Sequence, residues 1–313
     1  MTRVAAIDCG TNSIRLLVAD ADPSTGELVE LDRRMEIVRL GQGVDRTGRL
    51  APEALERTFS ACRRYAEVIK EHGARKIRFV ATSASRDAEN KDEFVRGVLD
   101  ILGVEPEVIS GDEEAEFSFI GATKELTGRD HFEKPYLVVD IGGGSTEFVV
   151  GDDHVRAARS VDMGCVRMTE RHLVHDGVVS DPPTPEEIAA IRADIDAALD
   201  LAEESVPLTG AATLVGLAGT VTTVAAIALG LDAYDSEAIH HSRISLDQVQ
   251  EITGRLLAST HAERAAIGAM HPGRVDVITS GALILLAVMK RTGAREVVVS
   301  EHDILDGIGW SVA

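Results

Sequence analysis

The sequence is poor in aromatic residues, cysteine and positive charge. Aromatics make up 4% of the 313 residues, with a single Trp. The three cysteines, Cys9, Cys62 and Cys165, form no CxxC pair, which excludes a disulfide framework and a cysteine zinc site and fits a reducing compartment. Basic residues number 32 against 52 acidic ones, a net charge of −20. That balance argues against a general nucleic-acid binder and against a polybasic lipid anchor. No run of about 18 uncharged apolar residues reads as a membrane span. The N-terminal stretch meets Asp8 too early for a signal peptide, so a cytoplasmic location is expected. What is present is 44% apolar residues, too many for disorder, in a length that predicts about two domains.

The negative charge is uneven. Residues 1–120 carry 17 basic and 23 acidic side chains, a net of −6, and the rest carry 15 and 29, a net of −14. Much of the second figure lies in 186–204, where seven acids face only Arg192 within the segment and alternate with Ile188, Ile191, Ile195 and Leu199. That spacing predicts a helix with a solvated acidic face.

Apolar β-rich runs alternate with amphipathic stretches along the chain. Strands are expected at Val4–Ile7, Ile14–Ala19, Leu28–Leu40, Ile77–Ala81, Val104–Ile109, Tyr136–Ile141 and Glu147–Val150, and near 213–217 and 296–300. Helices are expected at Pro52–His72, Asp92–Leu102, Glu113–Leu126, 185–205, 220–229, 246–259 and 275–291. This is an α/β chain of mixed sheets layered with helices.

An internal repeat stands out. Val4–Asp20 aligns without a gap on Tyr136–Asp152, pairing Asp8 with Asp140, Gly10 with Gly142, Ser13 with Ser145, Val18 with Val150 and Asp20 with Asp152. Each copy ends a strand on Asp and turns through small residues. Such turns bring backbone N–H groups close to an anion. Asp repels phosphate, so its sensible role there is to hold a hard cation such as Mg²⁺.

The two loops, Ile7–Ser13 and Asp140–Glu147, resemble the phosphate loops of the actin, sugar-kinase and heat-shock chaperone superfamily. Four further segments narrow the resemblance to the exopolyphosphatase and guanosine-pentaphosphate phosphatase family. They are Thr82–Ala88, Ile109–Ala115, Gly216–Thr222 and Pro272–Ile278. The resemblance spans nearly the whole chain. It departs from the family near the C-terminal end, where Leu305 and Asp306 stand before Gly307 in place of Arg and Glu. It implies two duplicated actin-like (ribonuclease H-like) domains with a cleft between them, 1–120 plus about 297–313 and 121–296.

The family's catalytic carboxylate corresponds to Glu114, a water-activating group at a helix start. Asp112 reads as a first-turn charge, and Glu113 is left open. Asp8, Asp140 and Glu147 are expected to hold Mg²⁺ or another divalent cation, with K⁺ dependence left open. Gly10, Thr11, Asn12, Ser13, Gly142, Gly143, Gly144 and Ser145 are expected to bind phosphate, with Arg86 as the best cationic contact. Arg15, at the repeat position of Glu147, reads as a surface charge. Cys9 reads as a packing residue, and the histidines, including His172, His175, His240 and His241, as solvated or packed, for want of HExxH spacing or a Cys partner. Trp310 and its neighbours read as a C-terminal helix packed on the first domain.

The resemblance implies Mg²⁺-assisted release of orthophosphate from linear polyphosphate, with short chains favoured because the long members' C-terminal extension is absent. Guanosine pentaphosphate is the alternative substrate. A sugar or acetate kinase and a non-catalytic nucleotide-binding scaffold fit less well. No nucleic-acid or membrane partner is expected, and a homodimer is left open.

Overall fold

The computed structural model describes residues 1–22, 24–25, 27–126 and 132–312. In chain order the elements are β1 (Thr2–Cys9), β2 (Ser13–Asp22), β3 (Glu27–Ile37), α1 (Val44–Thr47), α2 (Pro52–His72), β4 (Lys76–Ala81), α3 (Ser83–Asp87), α4 (Lys91–Leu102), β5 (Glu107–Val108) and α5 (Gly111–Thr123). There follow β6 (Tyr136–Ile141), β7 (Thr146–Gly151), β8 (Val155–Val161), α6 (Cys165–His172), β9 (Val174–His175), β10 (Val178–Val179), α7 (Pro185–Glu203) and β11 (Thr213–Leu217). The last are α8 (Ala218–Ala228), α9 (Ser236–Ile239), β12 (Arg243–Ser245), α10 (Leu246–Ala258), α11 (His261–Ala265), α12 (Ile278–Thr292), β13 (Glu296–Val299) and α13 (Ile304–Ser311). Among the described residues no helix is long and apolar enough to cross a membrane.

The chain forms two units. The first is Met1–Gly121 with the segment from Asp303 onward, and the second is Ala122–His302. Residues 297–302, which the sequence boundary assigned to the first domain, belong to the second, because β13 pairs with β11 and β12.

The first unit carries the sheet β3-β2-β1-β4-β5, with β1, β2 and β3 antiparallel and β4 and β5 parallel. The side chains of β1 alternate between two buried faces, as strand geometry requires. Ala5, Ile7 and Cys9 join the core under α2 and α4, formed by Cys62, Tyr65, Phe94 and Val98 among others. Val4 and Ala6 join Leu17, Ile304, Leu305 and Ile308 on the other face, where α13 packs. Asp8 has the parity of Val4 and Ala6, so it lies on the α13 face. The helix α2 starts on Pro52, ends on Gly73 in the left-handed region (φ 69°), and buries Leu55, Cys62, Tyr65 and Ile69 at helical spacing.

The second unit repeats this plan. Its sheet runs β12-β13-β11-β6-β7-β8, with β6, β7 and β8 antiparallel and β11 and β13 parallel to β6. Removing the edge strand β12 leaves the order of the first sheet. Leu137, Val139, Ile141, Phe148 and Val150 face a core built with α7, α8, α10 and α12. Asp140 and Glu147 lie on the opposite face. The duplicated order and strand directions make both units actin-like, ribonuclease H-like domains.

The acidic helix α7 is less purely solvated than its sequence implied. Arg171 and His172 bind Asp194, Ser180 and His175 bind Glu187, and Arg291 of α12 binds Asp200 and Glu203.

Candidate functional site

Each unit builds its loop on the same hydrogen bond. Gly10 N–H donates to Ser13 O at 2.9 Å, and Gly142 N–H donates to Ser145 O at 3.0 Å. Each turn therefore closes in four residues. Among the described residues, the N–H groups of Thr11, Asn12, Gly143 and Gly144 find no acceptor within the protein. Donors held in a tight turn without a protein acceptor suit an anion.

In the first unit, Asp8 is opposite Arg15 in the β1–β2 register, so the two share a face. Arg15 Nη2 and Nε donate to Asp8 Oδ2 at 2.6 and 3.0 Å. The same guanidinium pairs with Asp303, the N-cap of α13. Arg15 is therefore not the surface charge its sequence suggested. Burial opposes its charge, but Asp303 and Asp8 outweigh that and hold it well above its ordinary value. Burial raises the Asp8 carboxyl above its ordinary range, against the pull of Arg15.

The first loop is fixed from behind. Val38 and Arg39 N–H donate to Asn12 O, and Gly41 N–H donates to Thr11 O. Thr11 Oγ1 and Ser83 Oγ are 2.8 Å apart. Asn12 Oδ1 and Ser85 Oγ are buried and have no hydrogen-bond partner among the described residues. Unsatisfied buried polar atoms are costly; Asn12 lies in the first phosphate-loop segment, and Ser85 in one of the segments that carry the family resemblance.

Glu114 is buried near the start of α5. Arg86, in the last turn of α3, sends Nη1 to Glu114 Oε2 at 3.2 Å and to Ile109 O at 3.0 Å. The expected phosphate contact thus fixes the position of the expected catalytic carboxylate. Glu113, left open above, has a local role. Its Oε2 accepts from Ser110 N and Oγ at 2.9 and 2.8 Å, and its N–H donates to Ser110 Oγ at 3.3 Å, a capping box. Those bonds hold its carboxyl below the usual range.

In the second unit, Asp140 is opposite Glu147, and both are buried, at 7% and 1% exposure. Ser160 of β8 donates to Glu147 Oε1 at 2.7 Å. The loop carbonyls are tied down by α6. Cys165 N–H donates to Gly142 O, Val166 and Arg167 N–H donate to Gly143 O, and Arg167 Nε donates to Gly144 O at 2.7 Å. Gly164 permits that approach, since a Cβ there would fall 2.3 Å from Gly143 O. Sequence reasoning missed α6, Gly164 and Arg167, because no local pattern marks a short helix that backs a loop 20 residues upstream.

The Gly216–Thr223 turn opens α8 with Ala218 at φ 66°. Arg274 lies over Gly219, with Nη1 3.0 Å from Thr223 Oγ1. Nothing in the sequence linked Arg274 to that turn, 51 residues away. Leu305, at the family departure, is core, and Asp306 binds Arg33 and closes the cap of α13. Cys9 is buried, and burial pushes its thiol well above its ordinary value, which fits packing and not nucleophilic attack.

The sequence matches the Ppx/GppA phosphatase family over residues 17–311. It is 50% identical to exopolyphosphatase 2 of Mycobacterium tuberculosis (strain ATCC 25618 / H37Rv), over all of this chain and 99% of that protein. It is 31% identical to a guanosine-5'-triphosphate,3'-diphosphate pyrophosphatase of Aeromonas hydrophila, over 97% of this chain and 58% of that protein. A solved exopolyphosphatase-like protein superposes with a TM-score of 0.94 at 45% identity, covering 99% of this chain and 97% of that one. The chain belongs to the Ppx/GppA phosphatase family.

Proposed function

We propose that the protein is an exopolyphosphatase that hydrolyses the terminal phosphoanhydride bond of linear polyphosphate and releases orthophosphate. The observation that carries this reading is the full-length, 50% identity to the M. tuberculosis exopolyphosphatase. Glu114 is the residue proposed to orient the attacking water and take its proton, from the place where Arg86 holds it. The N–H groups of Thr11 and Asn12 in one loop, and of Gly143 and Gly144 in the other, are proposed phosphate donors. They come with Gly10, Ser13, Gly142 and Ser145 as the frame of each turn.

Asp140 and Glu147 fit a hard dication, since they set two buried carboxylates opposite each other on one face of a sheet. We assign Mg²⁺ to that pair. When bound, the cation supplies charge neutralisation at phosphoryl oxygens. The ion pair of Asp8 with Arg15 favours a positioning role for Asp8 over direct ligation.

The test is phosphate release from short polyphosphate, long polyphosphate, guanosine pentaphosphate and ATP, each with and without Mg²⁺. Release from polyphosphate with Mg²⁺ is expected. No release from either chain length would overturn the reading, and preference for the guanosine nucleotide would put that substrate in its place. Glu114→Gln is expected to lower kcat about 10²–10⁴-fold with KM little changed, the contribution general base catalysis makes. Near-full activity in that variant would remove Glu114 from the chemistry.

A further inference from the structure

Three side chains that the proposed reaction does not use converge within the second unit. Glu125 follows α5, His240 caps the C-terminal end of α9, and His302 follows β13. His240 Nε2 and His302 Nδ1 each lie 3.3 Å from Glu125 Oε2, and the three donor atoms lie within 4.8 Å of one another. We propose that Glu125, His240 and His302 form a site for Zn²⁺ or a similar borderline transition-metal dication.

Spacing is the first argument. Tetrahedral zinc with bonds of about 2.0–2.1 Å sets its donors about 3.3–3.4 Å apart. A charge-assisted N–H···O⁻ bond closes to about 2.7–2.9 Å, shorter than either contact here. The donor set is the second argument. Two imidazole nitrogens with one carboxylate oxygen suit zinc, nickel or cobalt, whereas Mg²⁺ takes oxygen ligands.

Preorganisation is the third argument. The His240 ring packs in tilted contact with His302, with centroids 4.7 Å apart, and with His241 at 3.6 Å. The backbone on both sides is tied: His241 N–H donates to Val299 O at 2.7 Å, and His302 N–H donates to Ser300 Oγ at 3.1 Å. All three ligands are half-buried, so solvent completes the coordination. One contact opposes binding. Metal on His240 Nε2 puts the ring proton on Nδ1, so the 3.1 Å approach of Glu301 N–H to Nδ1 must open. The site joins chain segments 115 and 62 residues apart, so a bound ion would cross-link them.

The test uses the full-length protein, stripped by a chelator and dialysed against Zn²⁺ in excess Mg²⁺, which occupies oxygen-rich sites. One zinc per chain by elemental analysis is expected, with a melting temperature that rises with free Zn²⁺. The double substitution His240→Asn with His302→Gln is expected to weaken zinc at least about tenfold. In chelator it should melt where the parent does. If the double variant does not fold, the single substitution Glu125→Gln, in the turn after α5, gives the same readout. Absence of stoichiometric zinc in the parent, or undiminished zinc affinity in a folded variant, overturns the proposal.

Discussion

In the first loop Gly10 N–H closes on Ser13 O and Asp8 faces Arg15; in the second, Gly142 N–H closes on Ser145 O and Asp140 faces Glu147. The backbone was kept through the duplication while the charge opposite the Asp was reversed. In the first loop one guanidinium serves two carboxylates, Asp8 and Asp303, and the balance is internal to the protein. In the second, two buried carboxylates stand opposite each other in the strand register, a placement that a nearby cation would stabilise. Under the proposed function the two copies do different work: the first loop serves as an anion cradle, and the second as an anion cradle joined to a cation site. The loops are also backed differently. Gly41 lets the chain pass the side chain of Thr11, whereas Gly164 lets α6 meet the backbone of Gly143 and Gly144.

The largest expected effect is at Arg15. Arg15→Gln leaves Asp8 and Asp303 as buried carboxylates without their shared counter-charge, and breaking such a pair costs about 3–5 kcal/mol. The denaturant midpoint should fall accordingly at neutral pH. Burial already raises the Asp8 carboxyl, so the folded state binds its proton more readily than the unfolded chain. Stability from that group is gained as pH falls through its folded value and lost as pH rises, so the deficit should shrink on acidification into the carboxylate range. An unchanged midpoint would mean that the first loop does not depend on its internal charge balance.

A smaller effect separates the two backings. In Gly164→Ala the new Cβ would lie 2.3 Å from Gly143 O and 2.5 Å from Gly144 N, so loop or helix must shift. Overpacking of this kind costs about 1–3 kcal/mol and should lower phosphate release with it. In Gly41→Ala the nearest atom is the Thr11 methyl, at 2.4 Å, which a side-chain rotation can relieve at the expense of the Ser83 contact. The melting temperature of Gly41→Ala should therefore fall less. Equal losses would break the distinction between side-chain and backbone backing.

Much of this was legible in the sequence because the informative parts are local and periodic. The repeat of Val4–Asp20 at Tyr136–Asp152 carried through to strand order, register and the turn hydrogen bond. The Pro52 start and Gly73 stop of α2 were readable residue by residue. What escaped was non-local or half-exposed. The strand β8 lies at a sheet edge, where Arg156 and Arg159 interrupt its apolar pattern. Arg15 reads as a lone charge until α13 returns Asp303 to it from 288 residues away. The contact of Arg86 with Glu114 spans 28 residues, and spacing alone gives no sign of it. The sequence placed Asp8 with Asp140 and Glu147 as equals, since a repeat shows which residues correspond and not which partner each has acquired.

The smallest of these effects bears most directly on that equality. Asp140→Asn removes one charge from the carboxylate pair while preserving its size. The Mg²⁺ concentration for half-maximal phosphate release should rise about tenfold or more, close to 1.4 kcal/mol of lost affinity. Asp8→Asn removes a charge that Arg15 already offsets. It should leave the Mg²⁺ dependence near that of the parent and show its effect in stability or in KM for polyphosphate. The two titrations, run side by side on one substrate, decide the matter. If both shift together, Asp8 is a ligand on the same footing as Asp140, and the reversed charge at position 15 has not divided the labour of the loops. If only Asp140→Asn shifts, the duplication has separated a cation site from an anion cradle by one cross-strand substitution.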